Sequence, residues 1–199
     1  MSNGIQWLRH SFEEGFCVAF CEEITPEDFI RRIGGDPSKS LELTREQAEV
    51  IDLASRYPEE EDLESHDLDA DELREIGFLR PDIEVLRVGS ANGWAFSLQS
   101  FGSFMSDSGI ARKASRGSRY ISFTQTVNMA SWVQYAVDGI LINSFDPIHP
   151  VAGPAKGLQI DALGENPSAA MLAQLEERFR LEVPKDTDHQ PLKTVALSR

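Results

Sequence analysis

Between residues 83 and 145 the chain carries five short runs of strand character: 83–88 (Ile-Glu-Val-Leu-Arg-Val), 94–99 (Trp-Ala-Phe-Ser-Leu-Gln), 120–127 (Tyr-Ile-Ser-Phe-Thr-Gln-Thr-Val), 132–137 (Trp-Val-Gln-Tyr-Ala-Val) and 140–145 (Ile-Leu-Ile-Asn-Ser-Phe). Several alternate apolar with polar residues, the period of a half-buried strand. Two junctions are Asn92-Gly93 and Asp138-Gly139, dipeptides suited to two-residue hairpin turns because both central positions there need positive φ. Strands joined so tightly lie side by side and run antiparallel, which predicts a meander. A sixth run, Phe16-Cys17-Val18-Ala19-Phe20-Cys21, is almost continuously apolar and of strand length.

Helix signals surround these strands. Thr25-Pro26-Glu27-Asp28 offers a cap, a first-turn proline and acids at the positive end. It predicts a helix at about 26–33 that turns Phe29, Ile30 and Ile33 inward and stops at Gly34-Gly35. Thr44-Arg45-Glu46-Gln47 is a capping box, opening a helix that should run to about Tyr57, before Pro58. Asn166-Pro167-Ser168 opens another, with Met171, Leu172, Leu175 and Phe179 at helical spacing. Ser108 to Ser118 reads as a short helix or loop, and the residues after Pro184 as a weak strand or loose tail. The expected fold is α+β: one domain over 1–199, an antiparallel meander sheet of about five to six strands with helices packed on one face.

One block differs in composition. Between about 58 and 82, Glu59, Glu60, Glu61, Asp62, Glu64, Asp67, Asp69, Asp71, Glu72 and Glu75 are set against only Arg74 and Arg80. Such a run repels itself, so an acidic, solvated and mobile insertion is expected there. Leu68, Leu73, Ile76 and Phe78 allow one short docked helix at about 69–76. The whole chain carries a formal charge of −14, which repels phosphate backbones and anionic membranes, so neither nucleic acid nor membrane is expected as a partner. A basic protein would be attracted. The start of the chain lacks the basic and apolar regions of a signal peptide, and no apolar stretch approaches the ~18 residues of a membrane span. With two cysteines only, the expected compartment is reducing and cytoplasmic.

The candidates for chemistry are sparse. On one strand Cys17 and Cys21 would share a face roughly 13 Å apart at ~3.3 Å per residue. That is too far for a disulfide and for a shared zinc ion, so both read as small buried hydrophobes. Asp67-x-Asp69-x-Asp71 begins like a calcium loop, but Glu72 stands where glycine is needed and Phe78 where glutamate is needed. His10, His66, His149 and His189 are scattered, and no Gly-x-Ser-x-Gly elbow is present. No catalytic residue, metal or cofactor is therefore assigned. Trp94, Trp132, Tyr135 and Phe145 are read as core.

Arg112, Lys113, Arg116 and Arg119 crowd together in this acidic chain. They are the candidate binding residues, suited to a carboxylate or phosphate. The competing reading is a helix C-terminus closing at Gly117, where cations complement the dipole.

The chain also resembles a family of uncharacterised proteins found chiefly in filamentous soil bacteria, a domain of unknown function. The resemblance rests on Trp7-Leu8, Glu14-Gly15-Phe16-Cys17-Val18, Thr25-Pro26-Glu27, Arg31-Arg32-Ile33-Gly34-Gly35-Asp36, Gly93-Trp94-Ala95, Ser115-Arg116-Gly117, Val127-Asn128, Tyr135-Ala136-Val137-Asp138-Gly139 and Ser144-Phe145-Asp146-Pro147. The acidic stretch around 58–84 is longer than in the family pattern. The resemblance implies a small intracellular accessory protein and brings no catalytic residues with it. The leading expectation is a non-enzymatic, immunity-type or accessory domain that binds another, basic protein through the acidic stretch. The alternative is a small-molecule sensor or enzyme with a pocket at the sheet edge, built from the loops 89–93, 101–118 and 146–153.

Overall fold

A computed structural model describes residues 4–57, 61–149, 157–158 and 164–198. Eight strands are present: β1 (Gly15–Glu22), β2 (Leu41–Leu43), β3 (Ile83–Ala91), β4 (Trp94–Ser100), β5 (Arg119–Thr126), β6 (Ser131–Val137), β7 (Ile140–Phe145) and β8 (Leu192–Ser198). The helices are α1 (Leu8–Ser11), α2 (Pro26–Arg32), α3 (Arg45–Arg56), α4 (Glu61–Glu64), α5 (Ala70–Ile76), α6 (Ser108–Ala114) and α7 (Pro167–Phe179).

All strands join one antiparallel sheet in the order β2-β8-β3-β4-β1-β5-β6-β7. The sheet thus has eight strands, not five to six. β2 has only three residues, too few to set a period, and the tail after Pro184 supplies a full strand, β8. The meander is real for β5-β6-β7 and for the β3-β4 hairpin, whose turns hold Asn92, Gly93, Asp138 and Gly139 at positive φ. It is interrupted where β1 inserts between β4 and β5, and where β8 inserts between β2 and β3. The apolar run of β1 accounts for its place: seven of its eight residues are buried, and only an inner strand covered on both faces can bury both alternating sets.

Helices accordingly cover both faces, not one. Phe16, Val18 and Phe20 point into a cluster with Leu8 of α1 and Met171, Leu172 and Leu175 of α7. Cys17, Ala19 and Cys21 point the other way, into a cluster with Phe29 and Ile30 of α2 and Ile110, Ala111 and Ala114 of α6. A third cluster joins α3 to the β3 end of the sheet, and it includes Leu63, Leu73 and Phe78 from the acidic block. Two short helices, α4 and α5, lie in that block where one was expected; residues 58–60 fall outside the described residues.

Local signals explain the boundaries. Thr25 accepts from Asp28 N–H at 3.1 Å to start α2. Thr44 and Gln47 form the reciprocal capping box of α3, and Asp69 accepts from Asp71 and Glu72 N–H to start α5. Trp94, Tyr135 and Phe145 are buried as expected, whereas Trp132 is 41% exposed. No helix among the described residues is long and apolar enough to cross a membrane.

Candidate functional site

A broad concavity lies on the α2/α6 side of the sheet, where the ends of several elements meet. Its walls come from the turn after α2, the 3₁₀ turn Phe104–Ser106, α6, the last residues of β8 and the chain leaving α5, enclosing a cleft of about 950 Å³. Ile33, Phe104, Ile110, Val195 and Leu197 make an apolar floor. The Gly34-Gly35 pair that ends α2 also shapes the rim. Gly34 has φ +98°, and a Cβ on Gly35 would come within 2.8 Å of Ile30 Cγ2 and 3.0 Å of Leu197 Cδ2. Only glycine lets the turn pass that closely.

Lys39, Arg80 and Lys113 line this cleft together with Asp36 and Asp107. Both carboxylates are engaged by local structure. Asp36 accepts from Ser38 N–H at 3.0 Å and Ser38 Oγ–H at 2.7 Å, and these bonds hold its carboxyl below the usual range. Asp107 caps α6, accepting from Gly109 N–H at 2.8 Å and Ile110 N–H at 3.0 Å. Arg80 donates from Nε to Gly77 O at 3.3 Å. Among the described residues, neither Lys39 nor Lys113 lies in an ion pair. Three cations therefore face two carboxylates already bound to N–H and O–H groups, over an apolar floor with Ser103, Ser106 and Ser198 at its margin. Such a lining can hold a small anion while covering a less polar body.

The four cations singled out in the sequence do not converge. Lys113 lines the cleft. Arg112 reaches back to Ser108 O of its own helix at 3.4 Å. Arg116 is exposed, and its carbonyl, like that of Ala114, accepts from Arg32 Nη1 at 2.8 Å, so Arg32 closes the end of α6. Arg119 alternates with Ile121 and Phe123 and so lies on the opposite face of the sheet. There it pairs with both oxygens of Glu22 and sits 5.7 Å from the ring centres of Trp94 and Phe179. Sequence proximity missed Lys39 and Arg80, which reach the cleft from the turn after Pro37 and from the acidic block; the one local signal was the helix break at Gly34-Gly35. Of the loop 146–153, residues 150–153 fall outside the described residues, and His149 is exposed.

Other ionisable groups serve the fold. Burial pushes the Cys17 thiol up to about 12, where it accepts from Thr124 Oγ–H at 2.9 Å. Burial also raises Cys21, against the opposing effect of Ser118 and Arg32. Both thiols are therefore poor nucleophiles. Arg87 is 4% exposed and donates to the carbonyls of Leu43, Thr187 and Gln190, tying β2 and the 185–190 turn to β3. Asp52 on α3 is 3% exposed, and burial, reinforced by Glu84 and opposed by Arg56, pushes its carboxyl up to about 6.

Compared with known proteins, residues 3–167 match the model of a family of unknown function, DUF6461. The match takes in the sheet from β1 to β7 and the cleft wall through Lys113, and it ends before the β8 wall. No curated protein and no solved structure matches the chain.

Proposed function

The chain belongs to DUF6461, a family of unknown function, and from its own geometry we propose that it is a small-molecule-binding protein whose cleft takes an anionic ligand, a phosphate or carboxylate. The observation that carries this reading is the charge of the cleft: Lys39, Arg80 and Lys113 gather there in a chain of net charge −14. Three cations set against two carboxylates already bound by N–H and O–H groups attract a small anion, and a concave site strengthens that attraction over bulk water. The lining is suited to holding a ligand rather than to transferring protons from it, because its carboxylates are occupied as helix caps. The protein would work in a reducing, cytoplasmic setting, where both buried thiols stay free.

Calorimetric titration with inorganic phosphate at low ionic strength tests the reading. Saturable binding is expected, weakened about tenfold or more by Lys113→Glu and by Lys39→Glu, since reversing a contact charge costs upwards of ~1.4 kcal/mol. Heats that do not saturate, or equal affinity in the variants, would refute it.

A second reading is favoured by the acidic block. Leu63, Leu73 and Phe78 anchor it to the core, while Asp71, Glu72 and Glu75 of α5 face outward, Asp71 with 96% of its side chain exposed. A fixed, exposed row of carboxylates suits docking of a basic protein partner. Pull-down from native extract at low and moderate salt should retain one stoichiometric basic protein that Glu72→Lys with Glu75→Lys releases. Retention that ignores both salt and charge reversal counts against docking there.

A further inference from the structure

The cleft reaches from the α2/α6 side of the sheet around a strand edge that is open. β2 pairs only with residues 192–194 of β8. The next four residues, Val195, Ala196, Leu197 and Ser198, pair with Leu86, Val85, Glu84 and Ile83 of β3, and among the described residues no strand pairs their outer side. The β3-β4 hairpin fixes which backbone groups point outward. Its two-residue turn at Asn92-Gly93 closes on Ala91 and Trp94, so that pair is hydrogen-bonded and alternation turns Gly89 and Arg87 toward β4 as well. The intervening Val88, Leu86 and Glu84 bond to Lys193, Val195 and Leu197 of β8. Ala196 and Ser198 therefore direct their N–H and C=O groups away from the sheet, into the cleft.

Side chains alternate across a strand, so four consecutive residues line one cavity only where it follows the strand's edge, and Val195 to Ser198 all line the cleft. Val195 and Leu197 join the α2/α6 cluster, while Ala196 packs on the α3 cluster. The walls divide in the same way: Ile33, Phe104 and Ile110 stand on the first side, Ile76 and Phe78 on the second. A free edge invites another strand and is ordinarily blunted by lysine, proline or a bulge. Val195-Ala196-Leu197-Ser198 carries none of these, and its register is unbroken. Cations flank this edge at both ends. Lys39 lies two residues before Leu41, the partner of Thr194, and Arg80 three residues before Ile83, the partner of Ser198. Lys113 lines the cleft from α6.

Resting on the anion reading above, we propose that the carboxylates this cleft receives are aspartate and glutamate side chains of an extended peptide, which adds to the β8 edge as a further strand and bonds to Ala196 and Ser198 through its backbone. The ladder bonds supply affinity for any extended chain, and the cations at the ends of the edge select an acidic one. The net charge of −14 opposes such a peptide at a distance. That repulsion is screened beyond ~10 Å at 0.1 M salt, whereas the cations of the cleft act at contact.

The test titrates the whole chain, in 0.1 M salt, with a capped peptide, acetyl-Val-Glu-Val-Glu-Val-Glu-amide, whose only carboxylates are side chains. It should bind at least tenfold tighter than inorganic phosphate and at least tenfold tighter than its counterpart with lysine in place of glutamate. Hydrogen exchange at the Ala196 amide should slow about tenfold or more with saturating peptide and stay unchanged with phosphate. Ala196→Pro takes away one outward donor at a position where an edge strand tolerates proline. It should remove most of the peptide's margin, with phosphate affinity and melting temperature near wild type. Equal affinity for peptide and phosphate, or tight peptide binding that leaves the Ala196 amide unprotected, overturns strand addition while phosphate binding keeps the cleft reading. Protection of Ala196 that rises with protein concentration alone assigns the edge to a second copy and overturns it too. Loss of phosphate binding itself overturns both.

Discussion

The two faces of this sheet are written by the same strands and are built for different ends. Toward α1 and α7, alternate positions carry Phe16, Phe20, Trp94, Phe96, Ile121, Phe123 and Tyr135, with Phe16 and Phe123 rings 5.9 Å apart and Phe20 and Phe96 rings 6.5 Å apart. Toward α2 and α6, the intervening positions of the central strands carry Cys17, Ala19, Cys21 and Ala95, with buried Ser97, Ser122 and Gln134 among them and Tyr120 as the one large ring of β5 on this side. Large rings fill one interface and supply most of its burial energy, at ~25 cal/mol per Å² of apolar surface. Small side chains on the other let α2, α6 and the Phe104–Ser106 turn come close to the sheet, and the cleft opens where those elements end. One face specifies the fold, and the other leaves room for a site.

That contrast breaks most visibly at neighbouring residues. Phe123→Ala removes a ring that is 1% exposed and should cost about 3–5 kcal/mol in denaturant unfolding. A loss near 1 kcal/mol would mean that the aromatic face is loosely packed.

A smaller effect comes from the carboxyl buried beneath α3. Asp52 has a folded-state pKa of about 6, raised from 3.8, so the native state binds its proton more tightly than the unfolded chain does. This group's stabilisation is complete below about pH 3.8 and is lost as pH rises through 6. Asp52→Asn removes the dependence. Relative to wild type its stability should therefore climb between pH 4 and 6, by up to about 3 kcal/mol. Thermal melts across that range would give parallel curves if Asp52 were not the responsible group.

The smallest effect is expected on the other face. Ser122→Ala, one residue from Phe123, should change stability by less than about 1 kcal/mol, since among the described residues its hydroxyl has at most a weak contact with the Tyr120 hydroxyl. A loss of several kcal/mol would show that this buried hydroxyl is part of the core after all.

Much of the aromatic face could be read from sequence, because alternation and capping are local. The almost unbroken apolar run at 16–21 announced a strand, though the helices were expected on one face of the sheet alone; the hairpin dipeptides at 92–93 and 138–139 hold their positive φ, and α2, α3 and α5 begin at their capping residues. Strand order was not legible, since placing β1 between β4 and β5 and β8 between β2 and β3 depends on contacts far apart in sequence. The cleft suffered for the same reason. Lys39, Arg80 and Lys113 come from three separate segments, while Arg119, close to Lys113 in sequence, is carried to the opposite face by strand alternation.

The central claim, that the cation-lined cleft binds a small anion, is tested most directly by mapping amide chemical shifts during titration with inorganic phosphate. The account predicts saturable shifts confined to residues 34–39, 77–80, 103–113 and 195–198. Shifts absent at millimolar phosphate, or clustered around Arg116 or Arg119 instead, would contradict it.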